Sequence, residues 1–186
     1  MYQKWYNMEY EIILRLIGGR MHLRGIAKEL KVSHSTVERK LNNLVKCCVL
    51  DYKKEGKNKV FYLKKNLEAQ TYVFNAERYN LIKLVKLYPE LGIIIEGLLK
   101  ECQENLIILF GSYAKFAAKN ESDIDIYVET KNKKVKDSIE FTNSKIKVKI
   151  GDFDLDSNLI KEIIKNHIIL RGVEDFYGKT RFFQQA

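Results

Sequence analysis

Leu106-Ile107-Ile108-Leu109-Phe110-Gly111-Ser112 is followed, after ten further residues, by Asp123-Ile124-Asp125. The apolar run predicts a short buried strand, and Gly111-Ser112 predicts a tight turn at its end. Side chains two positions apart in a strand point to the same face, so Asp123 and Asp125 should project together while Ile124 turns to the core. This segment therefore predicts a turn and a pair of carboxylates presented by consecutive strands.

Two neighbouring carboxylates repel each other, and the repulsion raises their pKa values unless a cation neutralises them. Hard oxygen ligands of this kind suit Mg²⁺ or Mn²⁺. The backbone amides of a tight turn and a serine hydroxyl can hold phosphate oxygens. The segment thus predicts a site for a nucleoside triphosphate bound together with a divalent metal ion.

The spacing resembles the nucleotidyltransferase superfamily of polymerase-beta-like fold in its minimal form, whose signature is Gly-Ser, about ten residues and Asp-x-Asp. The resemblance covers roughly residues 90 to 186. It implies that Gly111 makes the turn and that Ser112 opens a helix and binds the nucleotide's β and γ phosphates. It also implies that Asp123 and Asp125 are catalytic metal ligands. The alternative is a pair of unrelated, solvent-exposed carboxylates after a strand.

A third carboxylate, which helps to ligate metal and deprotonates the acceptor hydroxyl, normally stands on a following strand in this family. The candidate strand, residues 145–150, alternates cleanly, and its polar face carries only lysines: Lys145, Lys147 and Lys149. A lysine beside two aspartates would partly neutralise them and repel a second cation. The resemblance therefore does not decide whether this domain is catalytically active.

Two further features bear on this question. Asp152 or Asp154 could supply the missing carboxylate from beyond the strand, or both could belong to a solvated loop before a helix at 159–166, which the sequence favours. Phe116 is a second departure, because the family often has glycine at this position.

The charge of the chain is concentrated in its first third. Residues 1–65 contain fifteen Lys or Arg against six Asp or Glu, a net charge of +9, and residues 66–186 contain eighteen of each. Such an asymmetry indicates a polyanion-binding module joined to a neutral one, although a basic face can also be only a solvated surface.

Residues 8–64 predict three helices followed by a β-hairpin. The third helix begins after Ser33, a natural N-cap, and runs to about Cys48. Its buried stripe is predicted to be Val37, Leu41, Leu44 and Cys48. The hairpin is predicted to turn at 55–58, with lysines crowded at its tip.

This arrangement, with Gly25-Ile26-Ala27-Lys28-Glu29-Leu30 before the third helix, resembles a winged helix-turn-helix DNA-binding domain. The resemblance implies binding to double-stranded DNA; a winged helix used for protein contact is the alternative. Under the DNA reading, side chains of the third helix contact base edges: Ser35, Thr36, Arg39 and Asn43. Lysines of the hairpin contact phosphates: Lys53, Lys54, Lys57 and Lys59.

The sequence as a whole predicts an α+β protein. Its domains would be a winged helix at 1–65, a linker helix at 66–88, and an α/β nucleotidyltransferase-like domain with a small mixed sheet at 89–186. The apolar linker helix would either dock the two domains or form a homodimer seam.

Other residues exclude several classes of protein. No stretch is long and apolar enough for a membrane span, and Met1–Tyr10 lacks the apolar core of a signal peptide, so we expect a cytoplasmic protein without a membrane partner. The three cysteines lack metal-ligand spacing and are expected to be reduced packing residues.

Three functions are compatible with these features. The first is a DNA-binding, transcriptional regulator whose second domain binds a metal-nucleotide and either transfers a nucleotidyl group or senses a ligand. The second is an active nucleotidyltransferase that places a nucleoside monophosphate on a protein or RNA hydroxyl, as minimal family members do when they neutralise partner toxins. The third is a DNA reader with a non-catalytic dimerisation or partner-binding module.

Overall fold

The structure, a computed structural model, describes residues 6–184. The chain forms two compact units. The first unit runs to Ala76 and includes the segment from Phe183, and the second unit is Glu77–Phe182. Each unit contains its own small sheet. Helices and strands occur in both units, so the α+β class predicted from the sequence is confirmed.

Three helices and a very short strand begin the first unit. They are α1 (Met8–Ile17), β1 (Met21–His22), α2 (Leu23–Leu30) and α3 (His34–Lys46). The side chains of Asn7 and Ser33 accept backbone N–H groups at the starts of α1 and α3. These hydrogen bonds satisfy donors that a helix leaves unpaired at its N-terminus. The predicted N-cap at Ser33 is therefore confirmed.

Helix α3 ends earlier than the sequence predicts. Its buried residues are Val37, Leu41 and Leu44, as predicted, but the helix ends at Lys46. Cys48 is exposed and has φ +60°, because the chain leaves the helix there to bury the next two residues at the start of the hairpin. The prediction that Cys48 continues the buried stripe is wrong.

The cysteines as a set only partly follow the sequence-based expectation. Cys102 is buried, whereas Cys47 and Cys48 are both exposed. The expectation that all three are packing residues is therefore wrong for the adjacent pair, which lies beyond the end of α3.

A β-hairpin follows α3 and consists of β2 (Leu50–Glu55) and β3 (Asn58–Leu63). Strand β3 lies between β1 and β2 and is antiparallel to both. The strands pair up to Glu55 and Asn58, so the chain turns at 55–58 as predicted. Gly56 in the turn has φ +60°, a left-handed conformation that tight hairpin turns commonly require.

Two helices follow the hairpin: α4 (Leu67–Leu87) and α5 (Pro89–Glu101). The sequence predicts both. Helix α4 contributes residues to both compact units, because the boundary falls between Ala76 and Glu77. Pro89 occupies the first turn of α5, where its missing N–H breaks no helical hydrogen bond.

The second unit is built on a four-stranded mixed sheet with the order β6-β5-β4-β7. Its strands are β4 (Ile107–Phe110), β5 (Ile124–Glu129), β6 (Ile146–Gly151) and β7 (Ile168–Arg171). Strand β4 is antiparallel to β5 and β7, and β5 is parallel to β6. The predicted small mixed sheet is therefore confirmed, and β5 is an internal strand.

Short helices connect these strands, namely α6 (Gly111–Ala114), α7 (Lys133–Thr142) and α8 (Asn158–Lys165), and α9 (Val173–Lys179) follows β7. All four residues of β4 are buried, as expected of an internal strand. Alternate residues of β5 pack with β4, β6 and α5 in one apolar cluster. This core fixes the end of β4, where the turn into α6 begins.

Among residues 6–184, none of the helices combines the length and the apolar character that crossing a bilayer requires.

Candidate functional site

Gly111 forms a sharp turn against the second aspartate of the motif. Phe110, the last residue of β4, pairs with Asp125 on β5, and α6 begins at Gly111. Gly111 has φ +71°, a conformation that favours glycine. A Cβ at this position would collide with Asp125 Oδ2. The absence of a side chain therefore lets the backbone of the turn lie directly against the carboxylate.

Ser112 lies in the first turn of α6, one residue beyond that contact, and is partly exposed. The order of strand, turn and helix agrees with the sequence-based expectation. Because Gly111 touches Asp125, Ser112 is adjacent in the chain to a residue in contact with the acidic pair. Its role in binding phosphates stays a prediction.

The two aspartates occupy different environments. Asp125 is half-buried on β5, whereas Asp123 is exposed in the loop and precedes the first strand residue, Ile124. Burial raises the pKa of the Asp125 carboxyl group, and the charge of Asp123 raises it further. The carboxylates therefore interact, as the spacing predicts, and this repulsion would be relieved by a bound cation.

Three other charged side chains act on Asp125. Lys149 of β6 and Lys115, which follows α6, oppose the rise in its pKa, whereas Glu162 of α8 adds to it. Lys115 Nζ lies 3.3 Å from Glu162 Oε1, and the two side chains are 43% and 52% exposed. The acidic pair thus lies in a group of mixed charge rather than in an isolated acidic pocket.

Strand β6 carries lysines where the third carboxylate of the family is expected. Lys147 pairs in register with Asp125. Its Nζ donates a hydrogen bond to Ser144 O at 3.4 Å, so Lys149 is the β6 lysine whose charge acts on Asp125. The side chains of Lys147 and Lys149 are both exposed.

The two aspartates that could have supplied the missing carboxylate lie elsewhere. Asp152 and Asp154 are exposed in the loop before α8. Asp152 forms an ion pair of 2.9 Å with Lys131, and Asp154 Oδ1 accepts the backbone N–H of Asp156 at 3.0 Å. These contacts agree with the solvated loop that the sequence favours.

The donor atoms present fit one divalent cation. Asp123 and Asp125 offer carboxylate oxygens, and phosphate oxygens and water can complete the octahedron that Mg²⁺ prefers. In the described part of the chain, no group of three His, Cys, Asp or Glu side chains could hold a metal ion. Because the charge of Lys149 acts on Asp125, the residues do not fit a second cation.

The second departure from the family pattern has a visible structural consequence. Phe116 has φ +54°, so the chain adopts at this residue the left-handed conformation that glycine tolerates best. For a residue with a side chain, this conformation costs on the order of 1–2 kcal/mol. Lys83 Nζ lies 5.2 Å from the centre of the Phe116 ring, a cation–π contact that helps to hold it.

Lys115 and Glu162 were not predicted from the sequence. A basic residue three positions after the Gly-Ser dipeptide was an available signal for Lys115, because cations close to a phosphate-binding turn favour anions. Glu162 had no local signal, since it meets Lys115 only through the packing of α8.

In the first unit, α3 presents its predicted polar face to solvent. Ser35, Arg39 and Asn43 are exposed, and Thr36 is partly buried. Thr36 Oγ1 lies 2.7 Å from Ser33 Oγ, so its hydroxyl takes part in the N-cap. Ser35 Oγ also lies 3.1 Å from Ser33 Oγ, so Arg39 and Asn43 are the predicted base-contacting side chains whose polar groups take no part in the cap.

The hairpin lysines are exposed at the tip of β2 and β3: Lys53, Lys54, Lys57 and Lys59. Lys57 and Lys59 line a cleft together with Arg24, and α3 contributes Glu38 and Asn42 to it. Arg39 lines a different cleft, beside the start of α1. The α3 side chains that face the hairpin thus differ from the four predicted to contact bases.

No curated protein matches this chain. Two solved structures resemble it weakly. The crystal structure of adhesin competence repressor from Streptococcus pyogenes is 21% identical, with 55% of this chain and 71% of that chain covered and a TM-score of 0.37. A crystal structure of a toxin-antitoxin with AMP-PNP is 24% identical, with 50% and 85% covered and a TM-score of 0.36.

The family comparison concerns the second unit. Residues 94–174 match the family described as polymerase beta, nucleotidyltransferase. The matched range includes the turn at Gly111, both aspartates and the whole sheet from β4 to β7. This part of the chain is a nucleotidyltransferase-like domain.

Proposed function

We propose that this protein is a cytoplasmic, DNA-binding transcriptional regulator whose nucleotidyltransferase-like domain binds a nucleoside triphosphate with one divalent cation. The observation that carries the nucleotide half is the contact between Gly111 and Asp125. A glycine turn against a carboxylate brings the amides of a phosphate-binding turn and a cation ligand to one place.

In this proposal the chain's own residues divide the work. The amides after Gly111 and the Ser112 hydroxyl bind phosphate oxygens, and Asp123 and Asp125 bind Mg²⁺ or Mn²⁺. The cation shields the phosphate charge and orients the triphosphate. Lys115, whose charge already reaches Asp125, adds a cation on the phosphate side.

The DNA half rests on charge and exposure in the first unit. The net charge of +9 lies in residues 1–65. Three helices, a hairpin with four exposed lysines at its tip, and an exposed polar face on α3 support a winged helix in which α3 enters the major groove. Phosphate contacts by the lysines would supply affinity, and α3 would select the site.

Nucleotide binding is tested by calorimetry with ATP, GTP, CTP and UTP in the presence of Mn²⁺. The variant Asp123→Asn with Asp125→Asn should lose binding. The matched control is Asp152→Asn with Asp154→Asn, because that pair has the same spacing and is exposed in a loop. Equal affinity of both double variants for every nucleotide would reject the assignment.

DNA binding is tested by filter binding to duplex DNA over a range of salt concentrations. The affinity should fall steeply with added salt, since bound lysines release counterions from the phosphates. An absence of binding at low salt would reject the DNA half and leave the nucleotide half intact.

A second candidate function, transfer of a nucleoside monophosphate to a hydroxyl group, is favoured by Glu162, which gives the site a carboxylate besides the two aspartates. When the wild-type protein is incubated with α-³²P-ATP, the label should appear in an RNA or protein acceptor or in the chain itself. The double variant Asp123→Asn with Asp125→Asn should give no labelling. Equal labelling by the two proteins would reject transfer.

A further inference from the structure

The exposed surface of α3 is divided between two clefts of the first unit. Glu38 and Asn42 are exposed and line the cleft beside the hairpin, whereas Arg39 lines the cleft beside the start of α1. Positions four apart in a helix lie on the same face, one turn apart. Glu38 and Asn42 therefore form a polar stripe along the hairpin side of α3, and the sequence-based prediction did not include either of them.

The polar groups of this stripe take no part in holding the fold together. Among residues 6–184, the side chains of Glu38 and Asn42 make no hydrogen bond and no ion pair. By contrast, the hydroxyl groups of Ser35 and Thr36 lie 3.1 Å and 2.7 Å from Ser33 Oγ at the start of the helix. The donors and acceptors of the stripe are thus available to an incoming molecule.

The charge of Glu38 is opposite to that of its surroundings. Of the residues described around this cleft, Glu38 is the only acid, and the bases are Arg24, Lys57 and Lys59. A carboxylate repels DNA phosphates, so it weakens any contact of this cleft with the DNA backbone alone. The base edges offer hydrogen-bond donors instead, and in the major groove glutamate accepts from the N4 amino group of cytosine.

The hairpin determines which side of α3 meets the bases. Lys57 and Lys59 line the same cleft as the stripe. Lys59 Nζ lies 4.4 Å from the centre of the Tyr52 ring, a cation–π contact that keeps its ammonium group at the hairpin. Phosphate contacts fix the position of a protein on the duplex. A duplex held by these two lysines therefore lies across the cleft and turns its nearest base edges toward Glu38 and Asn42.

We propose that Glu38 and Asn42 are specificity-determining residues of the DNA site, an inference that rests on the DNA-binding function proposed above. Glu38 accepts a hydrogen bond from cytosine N4, and Asn42 forms two hydrogen bonds with N6 and N7 of adenine. The two positions are about 6 Å apart along the helix. Successive base pairs are about 3.4 Å apart, so the cytosine and the adenine lie within about two base-pair steps of each other.

The test begins with the selection of preferred sites from a pool of random duplexes by the full wild-type chain. Anisotropy titrations then measure the affinity of each protein for the selected duplex and for every single base-pair change in it. The variants are Glu38→Gln and Asn42→Ala. The matched controls are Glu68→Gln and Asn75→Ala, which make the same chemical changes at exposed positions of α4 in the first unit.

Glu38→Gln should replace the preference for cytosine at one position by a preference for adenine, because glutamine bonds to N6 and N7 of adenine as asparagine does. Asn42→Ala should lose roughly 5- to 150-fold of discrimination at the adenine position. Both controls should keep the wild-type preferences. A protein whose preference changes at one base pair is still folded, so loss of folding cannot produce the expected result for Glu38→Gln.

Two results would overturn the inference while the DNA-binding function stands. One is a Glu38→Gln variant that keeps the wild-type preference at every position. The other is an Asn42→Ala variant that loses affinity equally for all duplexes, since uniform weakening is the behaviour of a phosphate contact. A wild-type chain that binds no duplex at low salt would instead reject the DNA-binding function, and the inference with it.

Discussion

Tyr177 Oη donates a hydrogen bond of 2.6 Å to Glu77 Oε1, and both side chains are buried in the second unit. His167 Nε2 lies 3.4 Å from the same oxygen, an ion-pair contact that is not a hydrogen bond. Glu77 lies on α4, and Tyr177 lies on α9. A buried carboxylate is stable only when its charge is compensated, so these contacts hold α4 to α9.

Tyr177→Phe should destabilise the protein more than the removal of an ordinary hydrogen bond. The substitution removes the hydrogen bond to the buried Glu77 Oε1 and leaves the ion-pair contact with His167. Loss of a hydrogen bond to a charged group costs about 1.5–3 kcal/mol. Tyr127→Phe is the control, because Tyr127 Oη donates to an uncharged acceptor, Gly151 O, at 2.9 Å. Urea denaturation should give the larger loss for Tyr177→Phe, and an equal or smaller loss would contradict a charged role for Glu77.

His167 should make stability depend on pH. Burial lowers its pKa, but Glu77 and the carbonyl groups of Ile163 and Ile164 outweigh burial, so the net pKa is raised above the usual value. The stabilisation is therefore fully present below the unfolded pKa of about 6.5 and is lost as pH rises through the folded pKa.

The measurement compares wild type with His167→Gln by urea denaturation from about pH 6 upward. The difference in unfolding free energy should be largest at the acidic end and should shrink with rising pH. His22→Gln, at an exposed position, is the control and should show a difference that is small at every pH. A wild-type advantage that grows with pH would show that His167 is neutral in the folded protein.

Gly111→Ala should weaken ATP binding at least tenfold, that is by about 1.4 kcal/mol. The new Cβ collides with Asp125 Oδ2, and the residue keeps φ +71°, where a side chain is strained. Gly97→Ala on α5 is the control: its Cβ meets no atom within 4 Å, and alanine favours a helix over glycine by roughly 1 kcal/mol. Calorimetry with ATP and Mn²⁺ measures the affinity of both variants. An unchanged affinity in Gly111→Ala would show that the turn at Gly111 is not part of a nucleotide site.

The hairpin lysines and α3 should affect DNA binding in different ways. Substitution of Lys57 and Lys59 by serine should weaken binding to all duplexes and lower the salt slope by roughly one for each lost phosphate contact. Arg39→Ala should instead reduce discrimination between sequences, at about 1–3 kcal/mol for a lost base contact. Anisotropy titrations against several duplexes separate the effects, and an unchanged salt slope in the lysine variant would place the hairpin away from DNA.

The parts of the fold predicted from the sequence are those with strong local signals. The strand before Gly111 is a continuous apolar run, and 145–150 alternates cleanly, so both appear as strands where expected. Helices α7 and α9 were not predicted. Helix α7 buries only Ile139, and α9 is only seven residues long.

The parts of the site that the sequence missed depend on tertiary contacts. The lysines of β6 were predicted to share the site's face. Lys147 lies in register with Asp125, but its Nζ donates to Ser144 O, and Lys149 is the β6 lysine whose charge acts on Asp125. The ion pair between Lys115 and Glu162 joins residues 47 positions apart, and only the docking of α8 brings them together. A one-dimensional pattern carries no information about such a pair.

Lys149→Met should raise the affinity of the site for Mn²⁺ in the absence of nucleotide. Lys149 offsets part of the charge on Asp125 and repels an incoming cation, so its removal strengthens the field that attracts the metal. An exposed pair of this kind contributes about 0.2–1 kcal/mol, which corresponds to an increase of roughly 1.5- to 5-fold. The control is Lys133→Met on α7, which makes the same chemical change at another lysine and should leave the Mn²⁺ affinity within error of wild type. Electron paramagnetic resonance of free Mn²⁺ measures both variants, and weaker binding in Lys149→Met would mean that the lysine positions the aspartates instead of competing with the ion.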